Sequence, residues 1–254
     1  MLTRTLAVLL LFLAACAPAP APFDGPIVIG DTDPVRFAGR QPGTYPVRGM
    51  DASRFQTFVD WDRARAAGIE FAFLKATEGG DLKDRKFDDH WKKSRRAGIV
   101  RGAYHFYYFC TSPEVQARFF IRNVPRIPGS LPPVLDMEWN PFSPTCRRRP
   151  DAATVRSEMK IWLDAVQAHY AQRPIIYTTP GFYKDAGLDK LKGYEFWLRT
   201  TAKSPAEAFP GQPWRFWQYT ATGTLPNTPG SIDINVFNGS RDAWESWLAR
   251  RSIR

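Results

Sequence analysis

Downstream of residue 46 the chain alternates between two hydrophobic patterns. Short apolar runs rich in Val, Ile, Phe and Tyr predict strands over residues 47–51, 71–76, 100–109, 133–138, 174–178, 195–199, 215–220 and 232–237. Between the early runs, apolar positions recur at helical spacing and predict helices over 55–67, 84–97, 113–123, 151–171 and 241–250. The longest of these opens on Asp151, a side chain able to cap the first free backbone N–H groups, and turns Met159, Trp162, Leu163 and Val166 to one face. Gly68 and Gly98 stand where helices end in a left-handed residue.

Strands separated by helices put the chain in the α/β class, and eight such strands within about 200 residues predict one barrel domain over 47–254. The alternation thins after Arg199. Only a short segment, 205–208, precedes the seventh strand, and the 222–231 connection reads as a Gly/Pro/Asn turn without room for a helix. The last three strands are therefore expected to be joined by loops and to be free to pair antiparallel. An open doubly wound sheet is the alternative architecture.

Residues 1–46 carry a different pattern. Arg4 precedes an apolar run over 6–15, well short of the ~20 residues that span a bilayer. The run ends in Leu13-Ala14-Ala15-Cys16 and resembles a bacterial lipoprotein signal over 1–15, which makes Cys16 the expected lipidation site. Cleavage as an ordinary secretory signal among residues 15–21 is the alternative, and both imply export to the cell envelope. Frequent Pro and Ala make residues 16–46 an expected extended tether.

Charge and cysteine usage narrow the partners. A formal net charge of +10 favours anionic partners: nucleic acid, an acidic membrane surface or acidic cell-wall polymer. No nucleic-acid-binding motif accompanies it. With Cys16 lipidated, Cys110 and Cys146 remain, each just past a predicted strand, and an oxidising compartment pairs them as a disulfide. His105, between Tyr104 and Phe106, reads as a hydrogen-bonded core residue. His90 and His169 fall on helices, so no metal site is expected.

The stretch Leu131-Pro132-Pro133-Val134-Leu135-Asp136-Met137-Glu138-Trp139 holds the chemistry. Residues two apart on a strand point the same way, so Asp136 and Glu138 project together from one strand end. Two carboxyls that close separate in pKa: one stays an anion, the other keeps its proton, and hydrolysis of a glycosidic bond needs that division. Catalytic groups of a barrel lie at the C-terminal ends of its strands, and Asp51, Asp136, Glu138 and Asp233 are expected at such positions, on strands one, four and eight; strands one and eight are neighbours once a barrel closes. An acidic centre in so basic a chain costs self-repulsion, which points to a use.

Together these residues resemble glycoside hydrolase family 25, the Chalaropsis-type muramidases. The matching pieces are Gly49-Met50-Asp51-Ala52-Ser53 with Gln56 and Trp61; Phe73-Leu74-Lys75-Ala76-Thr77-Glu78-Gly79; Gly102-Ala103-Tyr104-His105-Phe106; Pro133 through Glu138; Ile176-Tyr177-Thr178; and Trp217-Gln218-Tyr219 followed by Asp233-Ile234-Asn235. The resemblance implies an irregular TIM-like (β/α)5(β)3 barrel. It implies cleavage of the β-1,4 bond between N-acetylmuramic acid and N-acetylglucosamine in peptidoglycan, with no cofactor. By its pattern Glu138 is the general acid. Asp136 stabilises the positive sugar centre directly or through the substrate's N-acetyl group, and Asp51 and Asp233 are further active-site acids. Gln218 is expected against the sugar; Tyr104, Tyr177, Trp197 and Tyr219, in or at the ends of strands, are either sugar platforms or core filling, the strand-end Tyr177 and Tyr219 favouring the site. Glu78, with Lys75, is either a substrate contact or a salt link beneath the site. His90 and Arg199-Thr200 depart from the pattern, the latter at a strand end beside a sugar subsite. A chitinase-like N-acetylglucosaminidase and a non-catalytic wall-binding module are the other readings. The expected protein is an exported monomer, lipid-anchored at the membrane and acting on peptidoglycan strands.

Overall fold

The computed structural model describes residues 28–254; the apolar run over 6–15 and Cys16 lie outside these residues. Ten strands occur in the order β1 (Gly30–Asp31), β2 (Arg48–Ala52), β3 (Ile69–Glu78), β4 (Leu82–Lys83), β5 (Val100–Phe106), β6 (Val134–Met137), β7 (Ile175–Thr178), β8 (Phe196–Arg199), β9 (Phe216–Leu225) and β10 (Thr228–Phe237). The helices are α1 (Trp61–Ala66), α2 (Phe87–Arg96), α3 (Pro113–Asn123), α4 (Ala152–Tyr170), α5 (Pro180–Ala186), α6 (Pro205–Ala208) and α7 (Arg241–Arg251). Strands β2, β3, β5, β6, β7, β8 and β9 pair in parallel in that order. Strand β10 runs antiparallel to both β9 and β2 and closes the barrel. The predicted (β/α)5(β)3 barrel is the fold found. Of its last three strands only β10 reverses direction, since β8 and β9 remain parallel.

Strand alternation divides the core in two. Inward positions contribute Phe71, Phe73, Val134, Ile175, Trp197, Phe216 and Phe237, closed off at one end by Trp244 and Trp247 of α7. Outward positions such as Leu74, Leu135, Ile176 and Leu198 pack with the helices, among them Trp162 and Leu163 of α4. The aromatic interior depends on missing side chains. A Cβ on Gly49 would lie 2.3 Å from the Phe71 ring, and one on Gly102 would lie 2.9 Å from Leu131 and 3.1 Å from Phe73.

Several local expectations are corrected. Helix α1 is shorter than the predicted 55–67. The Gln56 side chain accepts from the Ser53 amide and donates to the Ser231 carbonyl, which keeps residues 53–58 in a loop until Asp60 caps the helix. Helix α5, seven residues long, was too short to show a period. The expected 222–231 turn is mostly hairpin: β9 runs to Leu225, β10 starts at Thr228, and Asn227, with φ 61°, occupies the left-handed turn position. The expected tether over 16–46 is folded in its later part. Strand β1 pairs with Thr224 and Gly223, and Phe37 and Tyr45 are buried against Trp217.

Cys110 and Cys146 form a disulfide, Cα atoms 5.8 Å apart, joining the segment after β5 to the loop after Glu138. His105 is buried on the outer side of β5, 2.8 Å from the Thr77 hydroxyl and 3.0 Å from Gln116 Oε1, and stacks on Trp162. Burial pushes it down to about 4, so it is a neutral core residue.

Candidate active site

Inward positions at the end of the barrel away from α7 line a cleft of about 350 Å³. Asp136 and Glu138 reach it from the end of β6, two residues apart as a strand requires. Asp51 comes from β2, and Asp233 lies directly opposite it across the β2–β10 pair. Because β10 is antiparallel, Asp233 enters from the middle of its strand, not from the C-terminal end expected for it. The four acids predicted from sequence thus share one cleft. Tyr104, Tyr177, Trp197 and Gln218 line it as well.

A hydrogen-bonded frame holds Asp51. Its Oδ2 accepts from Gln218 Nε2 at 2.7 Å and from Asn235 Nδ2 at 2.8 Å. The Tyr177 hydroxyl donates to Gln218 Oε1, and Trp197 Nε1 donates to Asn235 Oδ1 at 2.7 Å. Each amide is oriented by an aromatic donor, so four strands fix one carboxylate. Asp136 is the contrast. Its side chain is buried, yet it accepts no hydrogen bond from any described residue, and Oδ1 is sealed from solvent.

Burial sets the acid–base character. It pushes Asp136 well above the ordinary carboxylate range, and the Glu138 charge adds to the rise. Glu138, less buried, is raised by burial too, with Arg199 and Lys75 opposing. Asp51 is raised well above its usual value by burial and then by Asp233. Burial lifts Asp233 to about 6 against the pull of Arg199. The clustered acids therefore hold protons into a pH range where an exposed carboxyl would have lost them.

Two expected sugar contacts lie elsewhere. Glu78 is not part of the cleft wall; its carboxylate is taken up by Lys75 Nζ at 2.6 Å, Arg54 at 3.1 Å and the Tyr108 hydroxyl at 2.7 Å. Of the two readings of Glu78 and Lys75, the salt link is the one present, and it anchors Lys75 at the cleft wall. Tyr219 follows inward-facing Gln218 and so turns outward, where it packs on Trp217 near the N-terminal segment. Two cleft or frame residues, Asn235 and Arg199, are not among the site residues expected from sequence. Both stand two residues beyond an inward position, Asp233 and Trp197, and that spacing was the available signal. Phe55, 74% exposed, forms part of the cleft mouth.

A closed, irregular β/α barrel with paired carboxyls at its open end is the architecture of a glycoside hydrolase. The chain matches Glycosyl hydrolases family 25 over residues 50–228, most of the barrel, and it belongs to that family. The match contains Asp51, Asp136 and Glu138 but stops short of Asp233, which the strand register places. The chain is 36% identical over 217 residues to the uncharacterized protein YegX of Escherichia coli K12, covering 84% of this chain and 77% of that one. It is 35% identical over 210 residues to Lysozyme M1 of Streptomyces globisporus, covering 78% and 69%. Among solved structures, a family 25 glycosyl hydrolase from Bacillus anthracis superposes with a TM-score of 0.75 at 31% identity, covering 84% of this chain and 98% of that one.

Proposed function

We propose that this family 25 hydrolase is a peptidoglycan muramidase in which Glu138 is the general acid and Asp136 works through the substrate's N-acetyl group. The observation that carries the assignment is the buried Asp136 carboxyl, without a hydrogen-bond donor, two residues from Glu138 on one strand end. In the free protein the pair shares a proton, and Asp136, the more buried and unpartnered of the two, is the better place for it. An acetamido N–H donating to Asp136 supplies the missing bond and stabilises its anion, which transfers the proton to Glu138. Glu138 then protonates the glycosidic oxygen while the acetamido carbonyl oxygen attacks the anomeric carbon. Asp136 stabilises the positive charge that develops. Glu138, now an anion, takes a proton from the water that opens the cyclic intermediate, and the anomeric configuration is retained.

Asp51 and Asp233 complete the acidic wall opposite the pair. Tyr104 on β5 and Tyr177 on β7 flank the pair on either side of β6 and give the cleft an aromatic lining beside a sugar ring, with Trp197 packed behind them. Family membership and the likeness to a lysozyme support peptidoglycan as the substrate. The net charge of +10 suits an anionic wall polymer. The Leu13-Ala14-Ala15-Cys16 sequence supports a lipid-anchored location in the bacterial envelope.

Replacing Glu138 by Gln tests the assignment, since it keeps the shape and removes the transferable proton. The folded variant should bind insoluble peptidoglycan like the wild type but release reducing ends about 10²–10⁴ times more slowly. Near-wild-type turnover would exclude Glu138 as the acid. Cleavage of chitin oligomers in preference to purified peptidoglycan by the unmodified enzyme would favour the N-acetylglucosaminidase alternative.

A further inference from the structure

Four acids share the cleft with two cations, and the two are not equivalent. Lys75 is neutralised where it stands: its Nζ lies 2.6 Å from Glu78, in a salt link that also includes Arg54. Arg199, at the end of β8, lines the same cleft but forms no salt bridge and no hydrogen bond through its guanidinium to any described residue. Such a fork is ordinarily taken up by a carboxylate, as Arg215, Arg241 and Arg251 are in this molecule.

We propose that Arg199 is a positioning residue for the reaction: unpaired and placed among the four cleft acids, its guanidinium is the counter-charge under which one carboxyl of each acid pair stays ionised. The pairs are Asp136 with Glu138 on β6 and Asp51 with Asp233 across β2 and β10. Four buried carboxyls without a cation would all tend to the neutral form, leaving no base to activate water and no anion to face a positive sugar centre. Arg199 acts on all four at once because it stands at the wall they share. Among the described residues it is the largest influence opposing burial at Glu138 and the one charge opposing it at Asp233.

Lys75, though held by Glu78, adds to the effect at the β6 pair and exceeds Arg199 at Asp136, but it does not reach Asp233. The uncharged groups of the cleft do not compete for this role. Tyr104 and Tyr177 are pushed well above the usual phenol range by burial and stay neutral. Gln218, paired with Arg199 in the β8–β9 register, is uncharged and committed to Asp51. Arg199 thus regulates the protonation of the acids rather than their placement, since Gln218, Asn235 and the strand ends fix Asp51 without it.

Titration of the side-chain carboxyls by ¹³C NMR, with assignment by single Asn and Gln variants, tests this without reference to turnover. In Arg199→Met the midpoints of Asp233 and Glu138 should rise by about one pH unit, the low end of what a neighbouring opposite charge contributes. Arg199→Lys should keep them close to the wild-type values. The kinetic arm rests on the muramidase reading: the acidic limb of kcat/KM on peptidoglycan should move to higher pH in Arg199→Met and return in Arg199→Lys. Should Arg199→Met not fold, Arg199→Gln supplies the neutral comparison. Unmoved midpoints in a folded neutral variant would overturn the proposal, and so would a raised KM with an unshifted pH profile, which would make Arg199 a substrate contact. If the wild type releases no reducing ends, the muramidase reading fails while the titration still decides the role of Arg199.

Discussion

Asp233→Asn should stabilise this protein at neutral pH, do little at pH 3.5, and cost it turnover. Burial in the cleft holds the Asp233 carboxyl at about 6, against 3.8 for the free group. The folded protein therefore binds this proton more tightly than the unfolded chain does. Stability from this source is complete below the unfolded pKa, falls as pH rises from there, and is lost once pH passes about 6. A rise of about two pH units corresponds to roughly 3 kcal/mol, an upper figure because Asp233 titrates together with Asp51. Asn keeps the shape and never ionises, so it escapes that loss. For a domain of this size each kcal/mol moves the melting temperature by roughly 2–4 °C, so the variant should melt up to about 10 °C above wild type at pH 7.5. At pH 3.5 the two should melt together. Differential scanning calorimetry of both proteins at the two pH values measures the contrast. An equal offset at both, or a less stable variant at pH 7.5, would refute the account of Asp233 as a carboxyl held above its natural range at the expense of stability.

Three further outcomes are expected. Gly49→Ala drives a methyl group to within 2.3 Å of the Phe71 ring, which Phe73, Phe216 and Trp244 hold in place, so thermal unfolding should show a loss of roughly 1–3 kcal/mol; an unchanged melting temperature would mean that the barrel interior yields easily. The Cys110–Cys146 bridge spans 36 residues, and the Cys110→Ser, Cys146→Ser double variant should lose up to about 4 kcal/mol in denaturant titration, whereas coincident curves would show that the loop after Glu138 needs no tie. Cys16→Ser should abolish incorporation of a fatty-acid probe and release the protein from membranes; labelling that persists would rule out Cys16 as the acylated residue.

Much of this molecule was legible in the order of its residues. Strand periodicity alone put Asp136 and Glu138 on one side of one strand, because side chains two apart must share a face. The alternation of strands and helices, and its thinning after Arg199, gave the irregular barrel and the adjacency of Asp51 and Asp233. His105 was readable as a core residue from its apolar neighbours, and the Cys110–Cys146 pair from its placement after neighbouring strands. Short or compensated features were not legible. Helix α5 is too brief to show a period. The 53–58 loop carries an apolar pattern that Gln56 overrides with two hydrogen bonds. Phe37 and Tyr45 sit in a Pro-rich stretch whose order depends on a distant partner, Trp217.

Sequence by itself determined which side chains could face the barrel axis, since pleat and period are local properties of the backbone. Only the tertiary structure decided what those side chains meet. Glu78 was drawn away from the cleft by Lys75, Arg54 and Tyr108, and Gln218 and Asn235 were committed to Asp51. Arg199 gained its position among four acids because barrel closure brings β2, β6, β8 and β10 around one axis. Burial, partner choice and the resulting shifts in protonation are sums over residues far apart in the chain. They come into existence only when the sheet closes.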